Sequence, residues 1–246
     1  MLVIFVTSKD YMIYPITLVN VRKEASFTYT YEFTKPENLD WEEGAHTHLA
    51  LDNFNHETGW FDKKDIRHLS ITSLPEENKI LITTRILKNH SYFKEKLLTS
   101  DIGDMFYLFK VGSRLTLKRE NKDLVLLSAG VGIVSFRPVI QQFVKNPENI
   151  ESLTLINIDS SGEFLLQDQM NEYHETNSRF NYYYVQSREL FYDRLREIVS
   201  NESYYYIVGS DDFLKQVRME LNKNGVSDDL IVFDKKPEFY KELNMT

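Results

Sequence analysis

Alternating apolar and polar positions dominate the first half of the chain. Ile16–Val21, Ser26–Phe33, Thr47–Asp52, Arg67–Thr72, Lys79–Ile86 and Met105–Val111 each read as a short β-strand. Turn-forming stretches such as Lys35-Pro36-Glu37-Asn38 and Pro75-Glu76-Glu77-Asn78 separate them. Only Tyr92–Thr99 has helical spacing in this half, through Tyr92, Phe93, Leu97 and Leu98. Strands this dense with so little helix predict an antiparallel β-barrel.

The period changes near residues 118–122. Leu124-Val125-Leu126-Leu127-Ser128-Ala129 is an apolar run suited to a strand covered on both faces. Gly130-Val131-Gly132 follows, then a helix over Val134–Lys145 and a second apolar strand, Leu153–Ile158, which together make a βαβ unit. The alternation continues with a helix around Phe164–Thr176, strand Phe180–Gln186, helix Leu190–Val199, strand Tyr204–Val208, helix Asp212–Asn224 and strand Leu230–Phe233. Strands alternating with helices predict a doubly wound parallel sheet. The expected architecture is an α+β chain of two domains: an antiparallel barrel over 1–120 and a doubly wound parallel α/β sheet over 121–246. The triplets Tyr182–Tyr184 and Tyr204–Tyr206 read as aromatic strand starts rather than a base-stacking platform.

Composition narrows the classes without changing this picture. The 246 residues are 42% hydrophobic and 27% charged, enough to bury one large core or two ordinary ones. With 29 Lys and Arg against 37 Asp and Glu, the net charge of −8 disfavours a general nucleic-acid binder and permits docking of a basic partner. The absence of cysteine excludes disulfides, thiolate metal sites and a cysteine nucleophile. The apolar opening Leu2–Val6 is too short for a secretory leader, and no run approaches the roughly 20 residues of a spanning helix, so a cytoplasmic protein without membrane association is expected.

A parallel sheet places ligands beyond the carboxyl ends of its strands. The residues there are Gly130-Val131-Gly132-Ile133, Asn157 to Gly162, Gln186-Ser187-Arg188 and Gly209-Ser210-Asp211-Asp212. Gly130 and Gly132 remove side chains where a phosphate or ring approaches the backbone, although a bare Gly-x-Gly is also an ordinary tight turn. In the first half, Arg67-His68-Leu69-Ser70-Ile71-Thr72-Ser73 alternates a guanidinium and hydroxyls along a strand, with Arg67, Leu69, Ile71 and Ser73 on one face. Such groups suit phosphate binding, while the bland reading is an exposed arginine on a barrel strand.

The order of Gly44-Ala45-His46-Thr47-His48-Leu49, Arg67-His68-Leu69-Ser70, Ser91, Gly103-Asp104, Gly130-Val131-Gly132-Ile133 and Val208-Gly209-Ser210 resembles the ferredoxin-NADP reductase-like flavoproteins over roughly residues 15–235. In that family a barrel holds FAD and a following parallel-sheet domain holds NADH or NADPH. The resemblance implies that Arg67 pairs with an FAD phosphate, that Ser70 hydrogen-bonds the flavin, and that His68 and Leu69 complete the motif. Leu69 stands where a tyrosine ring normally packs. The same resemblance implies that Thr83, Thr84 and Arg85 line the ribityl and phosphate region, while Asn89, His90 and Ser91 form the turn that receives the pyrophosphate.

On the nicotinamide side, the resemblance implies that Gly130, Gly132 and Ile133 form the turn beneath the dinucleotide, with Ser135 at the family's proline position. Gly209 and Ser210 follow Val208, which replaces the family's cysteine. Asp159 and Ser160 lean towards NADH, Arg188 offers a phosphate contact that reverses the lean, and Phe233 is the nearest aromatic to cover the flavin, ahead of Phe239 and Tyr240. The function implied is an FAD-dependent NAD(P)H oxidoreductase that passes electrons to a separate acceptor protein or a small molecule. The departures at Leu69, Ser135 and Val208 keep open a non-catalytic or weakly flavin-binding subunit of the same fold. A metal site at His46, His48, His56 and Asp52 is set aside, because the same strand already serves the flavoprotein pattern, and the acid pairs Glu42-Glu43, Glu76-Glu77, Asp211-Asp212 and Asp228-Asp229 read as solvated caps.

Overall fold

In a computed structural model, residues 6–8, 11–53 and 61–243 are described. The chain divides into two compact units, residues 1–113 and 114–246.

The first unit contains β1 (Val6–Ser8), β2 (Tyr11–Ala25), β3 (Thr28–Thr34), β4 (Ala45–Leu51), β5 (Ile66–Ser70), β6 (Lys79–Arg85), α1 (Tyr92–Leu98) and β7 (Met105–Ser113). They form a seven-stranded antiparallel sheet in the order β5-β4-β7-β2-β3-β6, with β1 on β2. Alternation turns Ile16, Leu18, Phe33, Leu49, Ile80, Ile82 and Leu108 into one buried core, which Phe93 and Leu97 of α1 plug.

Sequence alternation predicts a strand to Thr72, yet β5 ends at Ser70. Beyond it, the backbone N–H of Thr72 donates to the Leu81 carbonyl at 2.8 Å. The Ser73 hydroxyl donates to the Lys79 carbonyl at 2.9 Å and accepts the Leu81 N–H at 3.1 Å. Hydroxyls of the motif therefore stitch the end of β5 to β6 and give the sheet its barrel-like closure. A bulge in β7, where Lys110 takes φ of 54°, shifts the β4–β7 register between His46 and His48. The Thr47 hydroxyl caps the Phe109 carbonyl there at 3.0 Å.

The second unit contains β8 (Lys122–Ala129), α2 (Arg137–Lys145), β9 (Ile150–Ile158), α3 (Gln167–Thr176), β10 (Phe180–Val185), α4 (Arg188–Ile198), β11 (Tyr204–Val208), α5 (Asp211–Lys223), β12 (Ile231–Phe233) and α6 (Pro237–Glu242). The sheet is parallel throughout, in the order β10-β9-β8-β11-β12. Chain direction across the sheet therefore reverses between β8 and β11, the switch point at which open α/β sheets receive ligands. Ser187 and Ser210 cap α4 and α5, accepting the Leu190 and Phe213 N–H groups at 3.2 and 3.3 Å. Leu214, Val217 and Leu221 form the buried stripe of α5.

The single helix expected over Val134–Lys145 is two elements. Gly130–Phe136 winds as a 3-10 turn, and α2 starts only at Arg137 with Pro138 in its first turn, where a missing N–H costs nothing. Tyr204, Tyr205 and Tyr206 are buried, as expected of a strand. Their hydroxyls pin flanking chain: Tyr206 donates to the Thr116 carbonyl and accepts the Lys118 N–H, both at 2.9 Å, while Tyr204 bonds Glu120 at 2.6 Å. Among the described residues, no helix is long and apolar enough to cross a membrane.

Candidate functional site

In the first unit the motif residues fall on two faces of β5. Arg67 and Leu69 share a face. Leu69 packs against the barrel core, and the Arg67 guanidinium sits 5.6 Å from the Phe93 ring centroid. Arg67 donates to the carbonyls of Ile66 at 2.6 Å and Lys63 at 3.4 Å, so its fork is held before any anion arrives. His68 and Ser70 lie on the opposite face, where His68 meets His46 and His48 at ring-centroid distances of 4.6 and 5.3 Å. His46 is the direct cross-strand partner of Ser70. That pairing brings an imidazole beside the motif hydroxyl, a neighbour that linear order does not reveal. His56 of the imagined metal set lies outside the described residues, and among those described no cluster of His, Asp and Glu is arranged to hold a metal.

On β6, the Thr83 hydroxyl bonds that of Thr30 at 2.8 Å and lies 3.4 Å from that of Thr72. Thr84 is buried on the core-facing side with Ile80 and Ile82, separating it from Thr83. Arg85 reaches the Thr28 hydroxyl at 3.5 Å. In the turn before α1, Asn89 is exposed and Ser91 accepts the Lys94 N–H at 3.5 Å as the helix cap. The His90 ring is committed locally: it bonds the Glu95 carboxylate and the Leu87 carbonyl, which raise its pKa in that order of importance. Lys94, absent from the sequence expectations, extends to the Arg85 carbonyl at 2.5 Å. Burial and then the positive field of Arg67 push its pKa down.

In the second unit the switch point is built largely from backbone. Gly130 takes φ of 56°, a conformation that a side chain resists. A Cβ on Gly132 would stand 3.0 Å from the Val208 carbonyl oxygen, and one on Gly209 would stand 2.6 Å from the Phe213 ring. Gly132 thus lets the turn after β8 approach the end of β11, and Gly209 lets the end of β11 approach the first turn of α5. Ile133 is fully buried, and Ser135 is buried as well. Between the strand ends, the Ser128 hydroxyl bonds Asn157 Oδ1 at 2.8 Å with both residues buried. Asn157 opens a segment that the sequence places at a strand end, whereas Ser128 sits inside an apolar run and gives no such signal.

Asp159 is buried and turns back on its own loop, accepting the Ser161 N–H at 3.0 Å and hydroxyl at 2.7 Å. Ser160 is exposed beside it, and Arg188 donates to Gln216 at 2.8 Å. Ser210 serves as the α5 cap. Phe233 needs correction: it is fully buried, with Phe239 at 5.5 Å and Tyr240 at 5.4 Å between ring centroids. Tyr240 also exchanges hydrogen bonds with the Phe233 backbone, accepting its N–H at 2.7 Å and donating to its carbonyl at 3.0 Å. Packing has made Phe233 a core anchor for the tail, which removes it as an aromatic cover for a bound ring.

A barrel-like antiparallel unit followed by a doubly wound parallel unit is the fold of the ferredoxin-NADP reductase-like flavoproteins. Similar solved structures include a ferredoxin NADP+ reductase from Neisseria gonorrhoeae with bound FAD and NADP. It is 16% identical with a TM-score of 0.76, covering 90% of this chain and 98% of that one. The cytochrome b5 reductase domain of Ulva prolifera nitrate reductase matches at 14% identity and a TM-score of 0.72, covering 90% and 96%. The flavohem-like FAD/NAD binding domain of nitric oxide dioxygenase from Vibrio cholerae O1 biovar El Tor matches at 15% identity and 0.71, covering 89% and 97%. No family model and no curated protein matches the sequence.

Proposed function

We propose that this protein is an FAD-dependent oxidoreductase that takes electrons from NADH or NADPH and passes them to a separate acceptor protein or a small molecule. The observation that carries the reading is one chain combining a fold like that of reductases with bound FAD and NADP with a glycine-lined turn at its parallel-sheet switch point. The donor chemistry fits both dinucleotides. Arg67 supplies a pre-held fork for phosphate, and the partly exposed Thr83, steadied by the buried hydroxyls of Thr30 and Thr72, supplies a neutral polar group suited to a ribityl hydroxyl.

When bound, FAD supplies hydride acceptance and single-electron release. The chain's own contribution is binding and orientation. Gly130 and Gly132 shape the turn after β8, one by its left-handed backbone and the other by close packing on Val208, so that the turn presents backbone to a dinucleotide, and the Ser128–Asn157 bond fixes the neighbouring strand ends. Ser70 offers a hydroxyl beside His46 for hydrogen bonding to the flavin ring.

A second reading, a subunit that binds flavin weakly or not at all, is favoured by Leu69. The residue packs into the barrel core and brings no aromatic face to a flavin. The visible spectrum of the purified protein, recorded with and without added FAD and then with NADH or NADPH under anaerobic conditions, separates the two. The reductase takes up FAD and bleaches with one of the nucleotides. Colourless protein that takes up no added FAD rejects it in favour of the weak binder.

A further inference from the structure

We infer that Lys94 is a second cationic arm of the diphosphate site, acting beside Arg67 on the phosphoryl oxygens of a bound dinucleotide. The inference rests on the proposed FAD reading and assigns a residue within that site. Three elements are linked there: Arg67 on β5 lies over the Phe93 ring of α1 at 5.6 Å, and the neighbouring Lys94 bonds the Arg85 carbonyl at the end of β6. Lys94 is only half-buried, and its ammonium donates to a neutral carbonyl, that of Arg85. Arg67 likewise donates hydrogen bonds to the neutral carbonyls of Ile66 and Lys63.

Two cations on adjoining segments whose hydrogen bonds go to carbonyl dipoles gain more from a shared divalent anion than from those neutral partners. The nearby carboxylates do not answer them. The Glu95 side chain is bonded to His90, and Asp65, though buried in the turn before β5, makes no ion pair with either cation among the described residues. Lys63 and Lys64 on that same turn add positive charge, with Lys64 lying over the Tyr92 ring. The depressed pKa of Lys94 agrees with a site whose positive charge is costly until an anion is bound. A lysine placed four residues after an exposed turn reads in sequence as an ordinary solvated helix residue, and only the strand ends around it give it this setting.

Equilibrium binding of FAD, riboflavin and inorganic pyrophosphate to the full chain tests the assignment, using wild type, Lys94→Gln and Lys94→Arg. Lys94→Gln is expected to weaken FAD and pyrophosphate about 10- to 100-fold while leaving riboflavin unchanged, and Lys94→Arg restores most of the loss. Unchanged FAD affinity in Lys94→Gln, or an equal loss for riboflavin, overturns the role of Lys94. Wild-type protein that binds pyrophosphate in a Lys94-dependent way but takes up no FAD upholds the anion site and rejects the flavin reading. Wild-type protein that binds neither rejects both.

Discussion

The two units prepare for ligands by opposite means. Around β5, β6 and α1, long side chains and hydroxyls do the work: Arg67, Lys94, Thr30, Thr72 and Thr83 come from segments far apart in sequence. At the β8–β11 switch point the useful feature is the lack of side chains, with Gly132 and Gly209 packed so tightly that a single methyl meets Val208 or Phe213. A site made of side chains tolerates backbone variation but depends on charge. A site made of backbone tolerates surface charge but not volume.

Two changes probe that contrast, and a third, away from both sites, sets the baseline. Arg67→Ala is expected to cost about 1.5–3 kcal/mol of FAD affinity, the worth of a charged hydrogen-bond donor, while leaving the Michaelis constant for the pyridine nucleotide near wild type. Fluorescence titration and steady-state kinetics check this; equal effects on both ligands would dissolve the distinction between the units.

Gly132→Ala is the converse. The added methyl meets the Val208 carbonyl at 3.0 Å, where backbone cannot yield as a flexible side chain can, and overpacking of this kind costs about 1–3 kcal/mol. Denaturant unfolding should show the loss, and nucleotide binding should weaken while FAD affinity holds.

The smallest effect lies away from both sites. Arg218 grips Asp228 with two hydrogen bonds, at 2.8 and 2.5 Å, and Asn222 adds a third at 3.1 Å; the Arg218 bonds are the main cause holding the Asp228 carboxyl below its ordinary pKa of 3.8. Because the folded pKa is lowered, the stabilisation is present above the unfolded value and disappears as pH falls below 3.8 through the folded one. For a partly exposed pair its size is about 0.5–1 kcal/mol. Asp228→Asn should therefore lower stability at neutral pH by that amount and narrow its gap to wild type in an acid titration of unfolding.

Much of the fold was legible because it depends on local periodicity. The two-residue repeat of β3 and β6 and the unbroken apolar run of β8 each follow from which faces are buried, and so does the change from barrel to parallel sheet. Boundaries were less legible where side-chain hydroxyls replaced the ladder, as at Thr72 and Ser73, or where a 3-10 turn preceded Pro138. Missed elements were short: β1 and α6 offer too few residues to establish a period.

By itself, the sequence determined the order of elements, the two periods and the glycines at the carboxyl ends of β8 and β11, since each of these is written in neighbouring residues. Tertiary structure alone decided that Lys94 reaches the Arg85 carbonyl at the end of β6, that His46 stands across from Ser70, that Asp159 folds back on Ser161 and that Phe233 is buried under Tyr240. The reason is physical. Periodicity states which face of an element is buried, but the partners met on that face come from distant segments, and only the closed sheet and packed tail bring them within bonding distance.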